Sequence, residues 1–393
     1  MPQTKRLQNL RLGEVIDIRD GTHDTPQYVE QGIPLITSKN LADSGLCFRD
    51  VNYISEDNHR EISKRSGVER GDILYGMIGT IGKPTLVDTD RKFSIKNVAL
   101  FKQSNPEISN RYLRWLLKSP SINKQIAQAS KGGTQKFVSL SVLRGLEATF
   151  PPLPEQIRIA AILDKADALR TKRRESLAQL DSLTQSIFIE MFGDPLKNPR
   201  QWKTRPLLEI CDEINDCPHS TPLWTDEGEI CLRTSNLTEG GWNWDDTRYV
   251  SEATYHERSK RGYVASGDIV LSREGTVGIA AIVNPGMKIC MGQRLVQVRP
   301  SQSALVPEFL LRHLLYILSP MRIGQMMVGS TSQHLNVKEL KTLRIPLPPI
   351  DLQRKFARHV GALEKLKNFQ TVSLAELDTL FSSLQHRAFR GEL

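Results

Sequence analysis

Asp20-Gly-Thr-His23-Asp-Thr25-Pro26 and Asp216-Cys-Pro-His219-Ser-Thr221-Pro222 are one turn written twice, and the spacing between them decides how the chain is read. At the same offset of 196 residues Asn40-Leu41 recurs as Asn236-Leu237, and Ser63-Lys64-Arg65 as Ser259-Lys260-Arg261. Gly71-Asp72-Ile73 returns as Gly267-Asp268-Ile269, and Gly79-Thr80-x-Gly82 as Gly275-Thr276-x-Gly278. After one inserted residue the offset becomes 197, so that Pro151-Pro152 matches Pro348-Pro349 and Gln156 matches Gln353. Two copies are too few for a solenoid, which needs at least three stacked units. They describe a pseudo-dimer within one chain.

Each copy has a mixed front part and a helical back part. In the front parts, short apolar segments such as 72–75 and 268–271 are punctuated by Gly, Asn and Asp, which predicts strands and turns. Helices are expected at Asn110 to Lys118 and at Pro307 to Ile317. The back parts open on prolines. Pro154 sets a helix start with Glu155 in its first turn, and no Pro or Gly follows before Met191. That predicts a helix of about 57 Å. Its apolar seam is Ile159, Ile162, Ala166 and Leu169, then Leu180, Leu183 and Ile187, with Arg173 and Ser176 in the gap. The second helix has Phe356, Leu363 and Leu366, then Leu377, Leu380 and Leu384, with Gln370 and Ser373 in the gap and His359 replacing one seam residue. Each helix could pack on its own front part. Two polar centres in register favour an antiparallel pair, in which each middle faces the other. The fold class is thus α+β: two pseudo-repeated domains, 1–150 and 196–345, joined by two long helices, 151–195 and 346–393, in an antiparallel coiled coil.

Composition narrows the function. The N-terminus lacks the apolar core of a secretory signal, and no run is long enough to span a bilayer, so a cytoplasmic protein without a membrane partner is expected. Five cysteines show no C-x-x-C pair and no matched spacing, which reads as thiols and not as metal ligands or disulfides. The net charge of +9 suits a polyanion. It is unevenly spread: Lys and Arg outnumber Asp and Glu by 22 to 16 over residues 1–150, but stand at 16 to 16 over 201–345.

Reaction centres are absent from the pattern. Gly76-x-x-Gly79-x-x-Gly82-Lys83-Pro84 misses the phosphate-loop spacing and has Pro84 where a magnesium ligand belongs. No H-E-x-x-H, G-x-S-x-G or amino-methyltransferase strand end occurs. The repeated Asp-His pairs could serve as a general base, but no nucleophile accompanies them; turns that hold their own backbone or touch DNA fit better. Positions identical in both copies are expected to serve the scaffold, and polar positions that differ are the better readers of bases. Candidate DNA contacts are therefore His23 and His219, the basic pairs Lys64-Arg65 and Lys260-Arg261, and Thr80, Lys83 and Thr276 of the glycine turns. Thr37 and Lys39 stand opposite Arg233 and Ser235, and Arg273 replaces Met77. Thr134, Gln135 and Lys136 stand opposite Thr331, Ser332, Gln333 and His334. A rival from another class is a coiled-coil adaptor with two protein-binding heads and no DNA role.

Taken together, these motifs resemble the specificity subunit of type I restriction-modification systems. The resemblance covers nearly the whole chain. It is carried by the helix starts PPLPEQIRIAAILDKAD and PLPPIDLQRKFARHV, the endings IFIEMFG (187–193) and RAFRGEL (387–393), and the strings DGTHDTP with GDILYGMIGTIG and DCPHSTP with GDIVLSREGTVG. It implies two target recognition domains, each reading half of a split, asymmetric DNA site, with the helix pair setting the spacer. It also implies a non-catalytic chain that binds no cofactor itself. Two modification subunits would carry S-adenosylmethionine and methylate adenine, and restriction subunits using ATP and magnesium would join through them. The outward helix face around Arg170-Thr-Lys-Arg-Arg174 is the expected docking surface. A helical segment that some relatives carry ahead of the first recognition domain is expected to be absent or reduced.

Overall fold

The computed structural model describes residues 8–43, 45–129, 137–319, 322–323, 327–328 and 334–393. The chain forms two compact units, Met1–Arg174 with Val372–Leu393 and Glu175–Thr371. The division passes through the long helices, so each head keeps half of both. No helix among the described residues is long and apolar enough to cross a membrane.

In the first unit, β1 (Gln8–Arg11) is followed by β2 (Ile18–Asp20), β3 (Tyr28–Val29), β4 (Ile33–Ile36), β5 (Asn52–Ile54) and α1 (Glu56–Ser66). Then come β6 (Ile73–Gly76), β7 (Gly82–Leu86), β8 (Ser94–Ile95), β9 (Val98–Phe101), α2 (Asn110–Leu117), β10 (Glu147–Phe150) and α3 (Leu153–Phe192). One antiparallel sheet has the order β2-β9-β6-β7, and a second the order β8-β4-β5-β3 with β8 parallel to β4. β1 pairs with β10.

The second unit repeats this plan with β11 (Thr204–Pro206), β12 (Cys211–Asp216), β13 (Trp224–Thr225), β14 (Glu229–Leu232), β15 (Tyr249–Val250) and α4 (Glu252–Arg258). It continues with β16 (Ile269–Ser272), β17 (Ala280–Ile282), β18 (Ile289–Met291), β19 (Leu295–Pro300), α5 (Pro307–Ile317), β20 (Arg344–Pro346) and α6 (Ile350–Ala388). Its sheets, β12-β19-β16-β17 and β18-β14-β15-β13, have the same strand order.

The repeated residues that read as turn chemistry prove to be buried latches. Asp72 accepts the Glu69 and Gln103 amides and pairs with Lys102 Nζ at 2.8 Å. Asp268 accepts the Ala265 amide and pairs with Arg299 at 2.8 Å. Each carboxylate has a full set of partners at the start of a central strand, as a buried charge requires. Gly71 and Gly267 precede them at φ of 95° and 89°, backbone that glycine adopts without strain. Gln156 and Gln353 act alike at the helix starts. Gln156 Oε1 accepts Ser109 N at 2.9 Å while its Nε2 donates to the Glu107 and Pro151 carbonyls. Gln353 Oε1 accepts Val306 N at 2.9 Å while its Nε2 donates to Ala304 and Pro348. One buried amide per unit thus pins the long helix to the segment leading into α2 or α5.

The helices run antiparallel. In the first unit Arg170 meets Asp378 at 2.6 Å, and Phe381 packs edge-on against Trp115. In the second, Lys367 meets Asp181 at 2.8 Å, and Phe188 packs edge-on against Phe356. High numbers on one helix meet low numbers on the other. One half of the expected seam shifts by a residue. Ile159 and Leu180 are buried as expected, but Leu169, Leu183, Leu366 and Leu380 are 48%, 42%, 43% and 51% exposed. Their neighbours Arg170, Thr184, Lys367 and Phe381 turn inward instead. His359 is exposed and belongs to no seam. The reason is specific pairing: Arg170 lies over the Phe381 ring at 4.1 Å and on the Asp378 carboxylate, contacts a leucine could not make. The basic run 170–174 is also less outward than expected, since Arg170 and Arg174 both bind Asp378.

Candidate nucleic-acid interface

Strand direction gathers the candidate loops. β2 and β6 run one way and β9 and β7 the other, so residues 21–25, 77–81 and 96–97 emerge at one end of the sheet. The second sheet adds the turn after β4, because β4 and β8 are parallel and both run into that end. Ser38 Oγ donates to the Ile78 carbonyl at 2.8 Å, tying that turn to the glycine turn. Asn40 shapes it by accepting the Thr37 amide, as Asn236 accepts that of Arg233. This explains the repeated asparagine.

His23, Thr37, Lys39, Thr80 and Lys83 therefore share one end of the first head, and all but Thr37, which is half-buried, are exposed. Lys83 and Gly82 have φ of 52° and 96°, and Gly79 has 73° with open space where a side chain would be. The Gly-Asp turn lies at the opposite end of the same strand.

At the centre of this end is an ionic cluster. Asp20 receives His23 Nε2 at 2.8 Å and the Arg65 guanidinium from the end of α1. Burial pushes the Asp20 carboxyl up, but the hydrogen bonds and charges of His23 and Arg65 override this and hold it below its ordinary value. Asn97 Oδ1 lies 3.1 Å from His23 Nδ1. Both ring nitrogens thus face oxygen acceptors, an arrangement that suits the doubly protonated imidazolium. The Asp20 hydrogen bond, followed by that of Asn97, raises the His23 pKa above 6.5. In that protonated form His23 offers no lone pair for base catalysis and places a cation at this end. Lys64 is exposed and pairs with Glu61 at 2.6 Å.

The second head builds the same corner differently. Asp216 lies 3.4 Å from His219 Nε2, but its arginine is Arg273, at 2.7 Å, from the end of β16. Arg261 donates to the Cys217 carbonyl at 3.5 Å, and Lys260 is exposed. Arg273 also contacts Glu274, and Glu274 bridges to His334, which brings the 334 segment to the glycine turn. Arg233 is held by the Asp246 side chain and carbonyl. Arg233 and Arg273, expected to read bases, are half-buried and engaged within the protein, whereas Ser235, His219 and Thr276 are exposed. Thr134, Gln135, Lys136, Thr331, Ser332 and Gln333 lie outside the described residues.

Sequence reasoning missed Asn97 and Arg294. Both have left-handed backbone, φ 56° and 67°, at the start of β9 and β19. They differ and are polar at equivalent places 197 residues apart, so the comparison that selected the other candidates would have found them after the change of register.

The model for the type I restriction modification DNA specificity domain matches this chain twice, over residues 5–180 and 199–377. The putative type I restriction enzyme MjaX specificity subunit of Methanocaldococcus jannaschii is 22% identical over 399 residues, which covers 96% of this chain and 91% of that one. The type I restriction enzyme EcoKI specificity subunit of Escherichia coli K12 is 23% identical over 393 residues, covering 92% and 82%. A solved chain described under complex assembly and conformational transition of the type I R-M system superposes with a TM-score of 0.59 at 20% identity, covering 98% of each chain. The S subunit of the type I system of M. genitalium gives 0.58 at 17% identity, covering 99% and 97%. At those identities the structural likeness speaks for the fold.

Proposed function

The chain belongs to the type I restriction-modification DNA specificity family, and we propose on that premise that its two heads read the two different halves of one split DNA site. The observation that carries this is the matched loop end of each head. The same strands deliver the same turns there, but the side chains differ: His23 with Arg65 and Asn97 in one, His219 with Arg273 and Arg294 in the other. A shared frame with different polar tips is what two unlike half-sites require, since base edges are told apart by the donors and acceptors offered to them.

The exposed members, His23, Lys39, Lys64, Arg65, Thr80, Lys83, His219, Ser235, Lys260, Arg261 and Thr276, are the proposed DNA contacts. The antiparallel helices set the spacer between half-sites and carry two modification subunits, through which restriction subunits join. Methyl transfer from S-adenosylmethionine and ATP-driven restriction belong to those partners. The adaptor reading is not favoured, because both copies match a DNA specificity domain. Co-expression with the cognate modification subunit, followed by genome-wide mapping of methylated adenine, tests the reading. A split motif with unlike halves and a fixed spacer is expected. A stable, active complex that yields no such motif would overturn it.

A further inference from the structure

The second unit holds two cysteines side by side. Cys231 on β14 and Cys290 on β18 are direct partners across parallel strands, so both side chains leave the sheet on one face. Both are buried free thiols, in a small cluster with Val250 and Tyr255. Neighbouring strands lie about 4.8 Å apart, inside the range a disulfide spans, about 4.4–6.8 Å between Cα atoms. Beside the pair lies a buried guanidinium. Arg258, at the end of α4, donates to the Met291 and Gly292 carbonyls at 2.8 Å, to Ser220 at 3.2 Å and to Pro218 at 3.3 Å. Four carbonyls satisfy its hydrogens, but no carboxylate pairs with it among the described residues, and a buried charge calls for an opposite one. Cys231 is placed to answer: the hydrogen bond from Cys290, and then the charge of Arg258, lower its pKa against the effect of burial. The same hydrogen bond, with burial, raises Cys290. The frame itself asks for none of this. The same register in the first unit pairs Leu35 with Ser94, and Ile62 stands at the position of Arg258.

We propose that Cys231 and Cys290 form a redox-active dithiol that a peroxide closes to a disulfide. Cys231, as thiolate, attacks one oxygen of hydrogen peroxide; the O–O bond breaks, Cys231 becomes a sulfenic acid, and the hydroxide that leaves takes up a proton to form water. Cys290 then attacks the Cys231 sulfur. The S–S bond forms, the S–O bond breaks, and the hydroxyl leaves with the Cys290 proton as a second water. Two thiols thus give up two electrons, and one peroxide becomes two waters. β18 is an edge strand of 3 residues, the part of a sheet that opens most readily to a small oxidant. The bond staples that edge to β14. Arg258 also holds the carbonyls on either side of His219, so the dithiol lies one side chain away from the turn that carries it. The chemistry stands independently of what that turn touches.

The test treats the folded full chain with hydrogen peroxide, removes the peroxide with catalase, alkylates the remaining thiols in denaturant and digests without reduction for mass spectrometry. A linked pair of peptides containing Cys231 and Cys290, lighter by ~2 Da than the two thiol peptides, is expected. Cys290→Ser installs the serine of the first copy and removes the resolving thiol, so Cys231 should go on to the sulfinic acid, heavier by ~32 Da. Cys231→Ser should leave Cys290 a thiol at the same dose. Should a variant fail to fold, the unaltered chain decides. Two alkylated thiols there at a dose that oxidises Cys47, or a linked pair that forms only when the chain is unfolded before treatment, would overturn the proposal. Oxidation of Cys290 in a folded Cys231→Ser chain would do the same.

Discussion

With His23 among the proposed DNA contacts, its cluster should make DNA affinity depend on pH in a way that can be calculated. Asp20 carries one negative charge and Arg65 one positive, so the corner is neutral when His23 is neutral and carries +1 when His23 is protonated. Its two oxygen neighbours raise its pKa above 6.5, and the sign follows. The extra charge is fully present below the ordinary histidine value and is lost as pH rises through the elevated one. A cation that neutralises one phosphate contributes about 0.9 to the slope of log affinity against log salt, or roughly eightfold in affinity near 0.1 M salt. Fluorescence anisotropy with random-sequence duplex and the complex containing modification subunits should therefore give the wild type a salt slope about 0.9 steeper than that of His23→Ala at pH 5.5, with the difference lost at pH 8.5. Equal slopes at pH 5.5, or a difference that ignores pH, would refute the assignment of protonated His23 as a cation against phosphate.

Other consequences concern the frame. Gln353→Leu keeps the volume but strips partners from Val306 N and from the Ala304 and Pro348 carbonyls, which should destabilise the second unit by about 2–4 kcal/mol. Hydrogen exchange should show α5 opening before α2. Phe188→Ala removes a ring that is 0% exposed and touches Phe192, Phe309 and Phe356, at a cost of about 3–5 kcal/mol read from denaturant midpoints. Inserting seven residues into α3 at its polar middle, with a matching heptad in α6, should lengthen the tolerated DNA spacer and leave both half-sites unchanged. Methylation mapping that found altered base preferences at an unchanged spacing would remove the helices from that role.

How much of this was legible in the sequence depended on whether a residue acts through its backbone or through a partner. The internal repeat exposed the frame, because a left-handed turn before a central strand needs glycine in both copies and a buried carboxylate needs the same ladder of amides around it. Gly71-Asp72 and Gly267-Asp268 recur for that reason, and so do Gln156 and Gln353. The helix pair was visible in its polar middle, but only half of its seam could be located. Leu169 and Arg170 are neighbours, and hydropathy alone puts the leucine inside; the ring of Phe381 and the carboxylate of Asp378 decide otherwise. The same limit applied at the loop ends, where partners are drawn from distant parts of the chain.

That limit also carries information about function. Both copies keep an Asp-x-x-His turn and an arginine at 65 or 261, yet Asp20 takes Arg65 and Asp216 takes Arg273. Position 77 explains the difference: it is methionine in the first copy, while its counterpart Arg273 comes from the end of β16, across β19 from the Asp216 strand, and reaches the carboxylate. The consequence is electrostatic. Arg65 stays 63% exposed while it pairs, so it can share its guanidinium with a phosphate, whereas Arg273 is 13% exposed and already spans Asp216 and Glu274. The second head therefore presents less fixed positive charge at this corner, in keeping with its balance of 16 basic and 16 acidic residues over 201–345. If affinity comes mainly from phosphates and discrimination from base edges, the first head supplies more of the salt-sensitive affinity. Exchanging the Asp-x-x-His corners between heads, with their arginines, should then move that salt sensitivity to the other half-site.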